Sequence, residues 1–146
     1  DPEQDQTTLM LLPHGTINIP GQWEKTSFNE VSRQHFFKNA DTTSIAVAKN
    51  LKEKYPFYEQ QMTDEVFSQK FFEWEKEFYE QQGFEINVLT SGNDYIVWSA
   101  KRTDSYTVLL YGAKGLFAYN FAVFSEDWPE KQRIDFLMNL FEDNAQ

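Results

Sequence analysis

The sequence predicts an α+β domain: an antiparallel β-sheet of about six to seven strands, with helices packed on both faces, in the order β-β-β-α-β-β-β-β-α. Three observations predict it. Residues 84–124 hold four strand-like runs joined by tight turns, the pattern of an antiparallel meander. The later runs are apolar at consecutive positions, so both faces of that sheet need cover. Two capped segments, 63–82 and 125–141, carry apolar residues at helical spacing and can supply the cover. The strand count also permits an all-β sandwich or barrel with one added helix. Two well-capped helices argue against that alternative.

The elements follow in chain order. Residues 1–15 read as a polar leader, and their first stretch, DPEQDQTT, has no apolar residue apart from Pro2. Residues 16–19 form a short extended run that stops at the turn dipeptide Pro20-Gly21. Residues 31–38 and 44–49 read as paired strands, and Asn39 and Asp41 suit the hairpin loop between them. The YPFY cluster at 55–58 falls in a connecting loop, because a residue before proline is biased toward extended geometry. Thr63 then caps a helix, with Asp64 and Glu65 in the first turn, where the helix dipole favours anions. Gly83 is placed to stop it.

Phe67, Phe71, Trp74 and Phe78 make one stripe of this helix. Phe72 and Tyr79 lie about 130° away around it. Either a loop covers them, the YPFY segment being the obvious one, or they form an exposed patch. The acidic side chains Glu73, Glu77 and Glu80 read as a solvated face. The meander occupies 84–90, 95–101, 106–111 and 116–124, with turns at SGND, Thr103-Asp104-Ser105 and GAKG. In the second helix Pro129 suits the first turn, and Ile134, Leu137, Met138 and Phe141 form the stripe. Residues 143–146 read as a frayed tail, leaving one domain over 16–142.

Composition narrows the function. The 146 residues carry a net charge of −10, no Cys, and 14 Phe, 7 Tyr and 4 Trp. Without Cys there is no disulfide scaffold, thiol nucleophile or Cys-based zinc site. The acidity argues against nucleic acid, which is bound through clustered Lys and Arg. No apolar run is long enough to span a membrane as a helix. A start at Asp1 suggests removal of a signal peptide, a lipid-anchor region or other upstream residues. The polar leader would suit a tether. The expectation is an exported protein, periplasmic or at the cell surface, with room for an anchor upstream.

No phosphate-binding loop, dinucleotide fingerprint or nucleophile elbow occurs. His14 and His35 are the only imidazoles and lie far apart; no His pair has zinc spacing, and neither Asp41 nor Asn93-Asp94 reproduces a calcium loop. No catalytic residue, metal or cofactor is therefore expected. An enzyme built from carboxylates distant in sequence is held in reserve. His35 reads as a strand-edge or satisfied histidine, and Trp23 and Trp98 as core. The candidate binding residues are the aromatics without an assigned place: Tyr55, Phe57, Tyr58, Phe72 and Tyr79. Loops carry function and exposed rings anchor partners. Internal packing of these rings is the competing reading.

The order of elements adds a resemblance. A strand ending in I-P-x-x-W (Ile19, Pro20, Trp23) is followed by a hairpin with S-I-A-V (44–47). A mid-chain helix, G-F-E-I-N-V (83–88), a long meander and a terminal helix complete the order. This resembles the PsbP/Mog1-like superfamily, above all its small exported bacterial members, over about 16–141. The resemblance implies an antiparallel sheet with helices on both sides. Its members share a fold and no catalytic residue set, so it implies an accessory role and no mechanism. The leading expectation is a non-catalytic accessory or protein-interaction domain. A small-ligand or glycan-binding module using the aromatic patch is the alternative.

Overall fold

The computed structural model describes residues 5–145, and apolar strands joined by tight turns build an antiparallel sheet in it. The elements are β1 (Gln6–Met10), β2 (Thr16–Pro20), β3 (Glu24–Asn29), β4 (Gln34–Lys38), β5 (Ser44–Leu51), α1 (Asp64–Gln81), β6 (Glu85–Ser91), β7 (Tyr95–Arg102), β8 (Ser105–Lys114), β9 (Phe117–Phe124) and α2 (Glu130–Asn144). Seven strands form the main sheet in the order β3-β4-β5-β9-β8-β7-β6, and β1 and β2 form a separate ribbon. All pairings are antiparallel. After β5 the chain leaves the sheet, crosses one face as α1, and re-enters at the far edge as β6. The meander then works back until β9 pairs along the whole of β5.

Strand alternation divides the core in two. Toward α1 point Ala46, Trp98, Leu109, Tyr111 and Ala122, which pack on Phe67, Phe71 and Phe72. Toward α2 point Ile45, Val97, Leu110, Phe121 and Val123, which meet Leu137, Leu140 and Phe141. Leu9, Ile17 and Ile19 of the ribbon join this second core. The double cover expected for the apolar strands is present. The two faces are unlike: Ala46, Ala100, Ala113, Ala118 and Ala122 all lie on the α1 side. Short side chains on the sheet leave depth there for rings from above.

The caps of α1 are where the sequence places them. The Thr63 hydroxyl accepts from the Val66 amide at 3.1 Å, and Gly83 takes a φ of +90°, which a Cβ would disfavour. Thr63→Ala should lower the unfolding free energy by about 1 kcal/mol, read as a shift in urea midpoint at unchanged slope.

Several expectations need correction. Residues 1–4 of the expected leader lie outside the described residues, but 6–10 are a strand: Leu9 is buried and sits opposite Ile17. The expected strand at 31–38 begins only at Gln34, and β3 precedes it with six exposed positions and no apolar period to reveal it. The expected tail is helical to Asn144, because that side chain bridges to β2. Its Oδ1 accepts from the Asn18 amide at 2.8 Å and its Nδ2 donates to the Asn18 carbonyl at 2.9 Å. Gln146 lies outside the described residues.

The stripe of α1 is also displaced. The inward positions are Phe67, Ser68, Phe71, Phe72, Glu75 and Tyr79, whose centre lies about 70° around from the aromatic stripe. Trp74 and Phe78 remain 44 % and 57 % exposed. Phe72 is no part of an exposed patch; it is 5 % exposed, with its ring set edge-on to Trp98.

Candidate functional site

The displaced face puts a carboxyl where a hydrophobic side chain would be expected. Glu75 lies near the middle of the inward positions of α1, four residues after Phe71 and four before Tyr79. Below it, Tyr111 of β8 stands directly opposite Asn120 of β9 in register. Tyr111 is 1 % exposed and Asn120 7 %. Together these three groups line a cavity of about 540 Å³ between α1 and the sheet.

Two chain segments close its sides. The β3–β4 turn supplies Val31, Ser32 and Arg33. Asn29 shapes this turn, its side-chain oxygen accepting from the amides of Val31 at 2.9 Å and Ser32 at 3.2 Å, the local bonding that suits asparagine to turns. The segment after β5 supplies Lys54, Tyr55 and Pro56. A 3₁₀ turn, Lys52–Lys54, leads into it, and a half-buried ion pair of 2.5 Å from Lys52 to Asp64 ties it to the start of α1. The Asn50 amide donates to the Tyr55 hydroxyl at 3.3 Å. Trp74, Phe78 and Tyr79 form the wall from α1.

The electrostatics follow from burial. Desolvation lifts the Glu75 carboxyl from its ordinary 4.5 to about 7, and a hydrogen bond with Tyr111 partly opposes the rise. Among the described residues no Lys, Arg or His comes within ion-pairing distance of it. Burial, reinforced by the charge of Glu75, pushes Tyr79 up to about 12. Tyr55 also rises to about 12, chiefly through burial, with Asn50 pulling the other way. Tyr111 is held well above its usual value by burial first and then by Glu75. All three phenols therefore stay protonated near neutral pH. The cavity offers one titrating acid, neutral hydroxyls and amides, and ring faces.

Of the aromatics singled out from the sequence, the structure brings Tyr55 and Tyr79 to this cavity. Phe57 packs elsewhere, against Phe67, Phe71 and Trp74. Tyr58 lines a smaller depression with Met62 and Leu116. The YPFY loop thus covers the Phe67–Trp74 side of α1, while Phe72 and Tyr79 are covered by Trp98 on the sheet. Sequence reasoning passed over Glu75, Tyr111 and Asn120. A signal existed for two of them. Glu75 falls between inward aromatics on the helical wheel, and Asn120 is a lone polar residue inside LFAYNFAVF.

A larger depression, about 800 Å³, lies at the end of the sheet where β5 begins. It is lined mainly by exposed residues of loops and strand ends, and its one buried cation, Arg133, is engaged by backbone carbonyls. Trp23 is half-buried against Trp128 and Phe136, with its indole N–H donating to the Pro20 carbonyl at 2.7 Å. His35 lies on a strand as expected, but neither at the sheet edge nor fully satisfied: β4 runs between β3 and β5, the ring packs on Phe28, and Nδ1 has no partner. Burial, then Lys25, keep its pKa below the usual value. Among the described residues no three His, Cys, Asp or Glu side chains gather to hold a metal ion, and no helix is long and apolar enough to cross a membrane. Comparison with protein-family models gives no match, and comparison with curated proteins gives none either.

Proposed function

We propose that this chain is a non-catalytic binding domain whose cavity under α1 takes a small molecule. One observation carries the reading: Tyr111 and Asn120 are buried polar groups at an open cavity, beside a carboxyl that has no ion-pair partner among the described residues. A concave site with apolar walls and a few convergent polar groups is the usual architecture of a ligand pocket. The volume, about 540 Å³, falls within the usual span of such pockets. Among the described residues Glu75 is the only carboxylate on the lining, and no imidazole joins it, which favours binding over paired acid–base chemistry.

Ligand-observed NMR with a panel of saccharides, amines and carboxylic acids tests this. The expected result is at least one hit that Asn120→Leu removes while the circular dichroism spectrum is unchanged. A panel without hits, or hits indifferent to that substitution, would overturn the reading.

A second reading, a protein-interaction domain, is favoured by the rim. Val31 is almost wholly exposed beside Trp74 and Phe78, and exposed rings at a cavity mouth could seat an apolar side chain of a partner. We also propose a PsbP/Mog1-like assignment. Its support is the order of elements, with α1 between the opening strands and a closing meander and α2 on the opposite face. Export with an upstream anchor, and an accessory role, accompany that assignment as proposals.

A further inference from the structure

We propose that the cavity selects a small organic ammonium ion, which pairs with Glu75 beneath the aromatic rings. The inference rests on the small-ligand reading and names the ligand's chemistry. The first support is the carboxyl itself. Glu75 is largely withdrawn from water, and among the described residues no cation lies within ion-pairing distance of it, although Arg33 and Lys54 line the same cavity. An ionised buried carboxylate calls for a partner. The second support is the walls. Trp74, Phe78 and three tyrosines surround the space, and the faces of such rings attract desolvated ammonium groups. A net charge of −10 adds a long-range bias toward cations.

The two bases on the lining do not oppose this. Arg33 acts on Tyr55, and neither Arg33 nor Lys54 is among the influences on Glu75. The ammonium is placed against Glu75, whose charge acts on Tyr55, Tyr79 and Tyr111 alike.

The pairing has a proton signature. An ammonium favours ionised Glu75, whose carboxyl titrates at about 7 in the free protein. Below that pH, binding must expel a proton, so affinity should rise by about tenfold per pH unit and level off above it. A neutral sugar would not require ionisation. Tyr55, Tyr79 and Tyr111 face the same space and stay neutral throughout.

The experiment follows the Glu75 side-chain carboxyl carbon and the Trp74 indole N–H by NMR through a pH titration of the intact chain. Tetramethylammonium chloride, butylammonium chloride and D-glucose are the probes, with sodium chloride at matched ionic strength as control. Either ammonium should lower the apparent pKa of Glu75 and move the Trp74 signal, and Glu75→Gln should abolish the Trp74 response. Response to tetramethylammonium alone would assign a quaternary site, and response to butylammonium alone a primary one. If only glucose moves Trp74, the ammonium inference falls and the small-ligand reading stands. Ammonium binding unchanged in Glu75→Gln also overturns the inference. If no probe perturbs either signal, the inference is overturned and the small-ligand reading loses its carrying argument with it.

Discussion

Arg133→Met should lower the unfolding free energy by about 3 kcal/mol. Arg133 is buried at the first turn of α2. Its Nε donates to the Trp128 carbonyl at 2.9 Å, one terminal nitrogen to the Tyr106 carbonyl at 3.1 Å, and the other to the Ser125 carbonyl. One guanidinium therefore joins the β9–α2 connection, the start of α2 and the start of β8. Methionine keeps most of the apolar stem and removes every donor, so three carbonyls lose their protein partner. Arg133→Lys should fall between the two, because a single ammonium cannot reproduce a planar fork aimed at divergent acceptors. Urea unfolding at fixed pH measures both variants. If methionine costs less than about 0.5 kcal/mol, water satisfies those carbonyls and the arginine is not the clamp that fixes α2.

Arg133 also shows why part of the fold was hidden in the sequence. On a helical wheel it reads as a surface residue next to Ile134, yet it is Arg133 that is buried and Ile134 that is half-buried. What makes its burial possible is three carbonyls from other parts of the chain, and pattern reading cannot see them. Local signals were legible: Thr63 and Gly83 bound α1, and the turns at SGND and Thr103-Asp104-Ser105 mark the meander, whereas three residues of the expected GAKG turn belong to β8 and the chain reverses at Gly115-Leu116. The strand order was not, because β5 meets β9 only after α1 has carried the chain across the sheet. The candidate site divides in the same way. Tyr55 and Tyr79 stood out as rings without a place. Tyr111 and Asn120 become neighbours only through the β8–β9 register. Glu75 was masked by the assumption that a carboxylate on an amphipathic helix faces water, which held for Glu73, Glu77 and Glu80.

Glu75→Gln should stabilise the protein, and by an amount that depends on pH. The folded carboxyl titrates at about 7 against an ordinary 4.5. Below 4.5 both folded and unfolded chains hold the proton, and the charge contributes no difference. Between 4.5 and about 7 the folded state binds more protons than the unfolded state, so stability falls as pH rises through that window and is level above it. Glutamine cannot ionise and can still hydrogen-bond to Tyr111. The variant should therefore match the parent near the lower edge of the window and exceed it by about 2 kcal/mol above its upper edge, the full linkage value being reduced because the group is partly exposed. Urea unfolding of both proteins across this range measures it. Parallel stability curves would mean that Glu75 is as well solvated folded as unfolded, and the cavity would lose its acid. A gain in stability together with loss of ammonium binding would place the cost of the carboxyl at a binding site. Sites that must hold a ligand commonly carry groups the fold alone would be better without. Replacing Glu77 on the exposed face by glutamine is the matched control, with an expected change within about 0.5 kcal/mol at any pH.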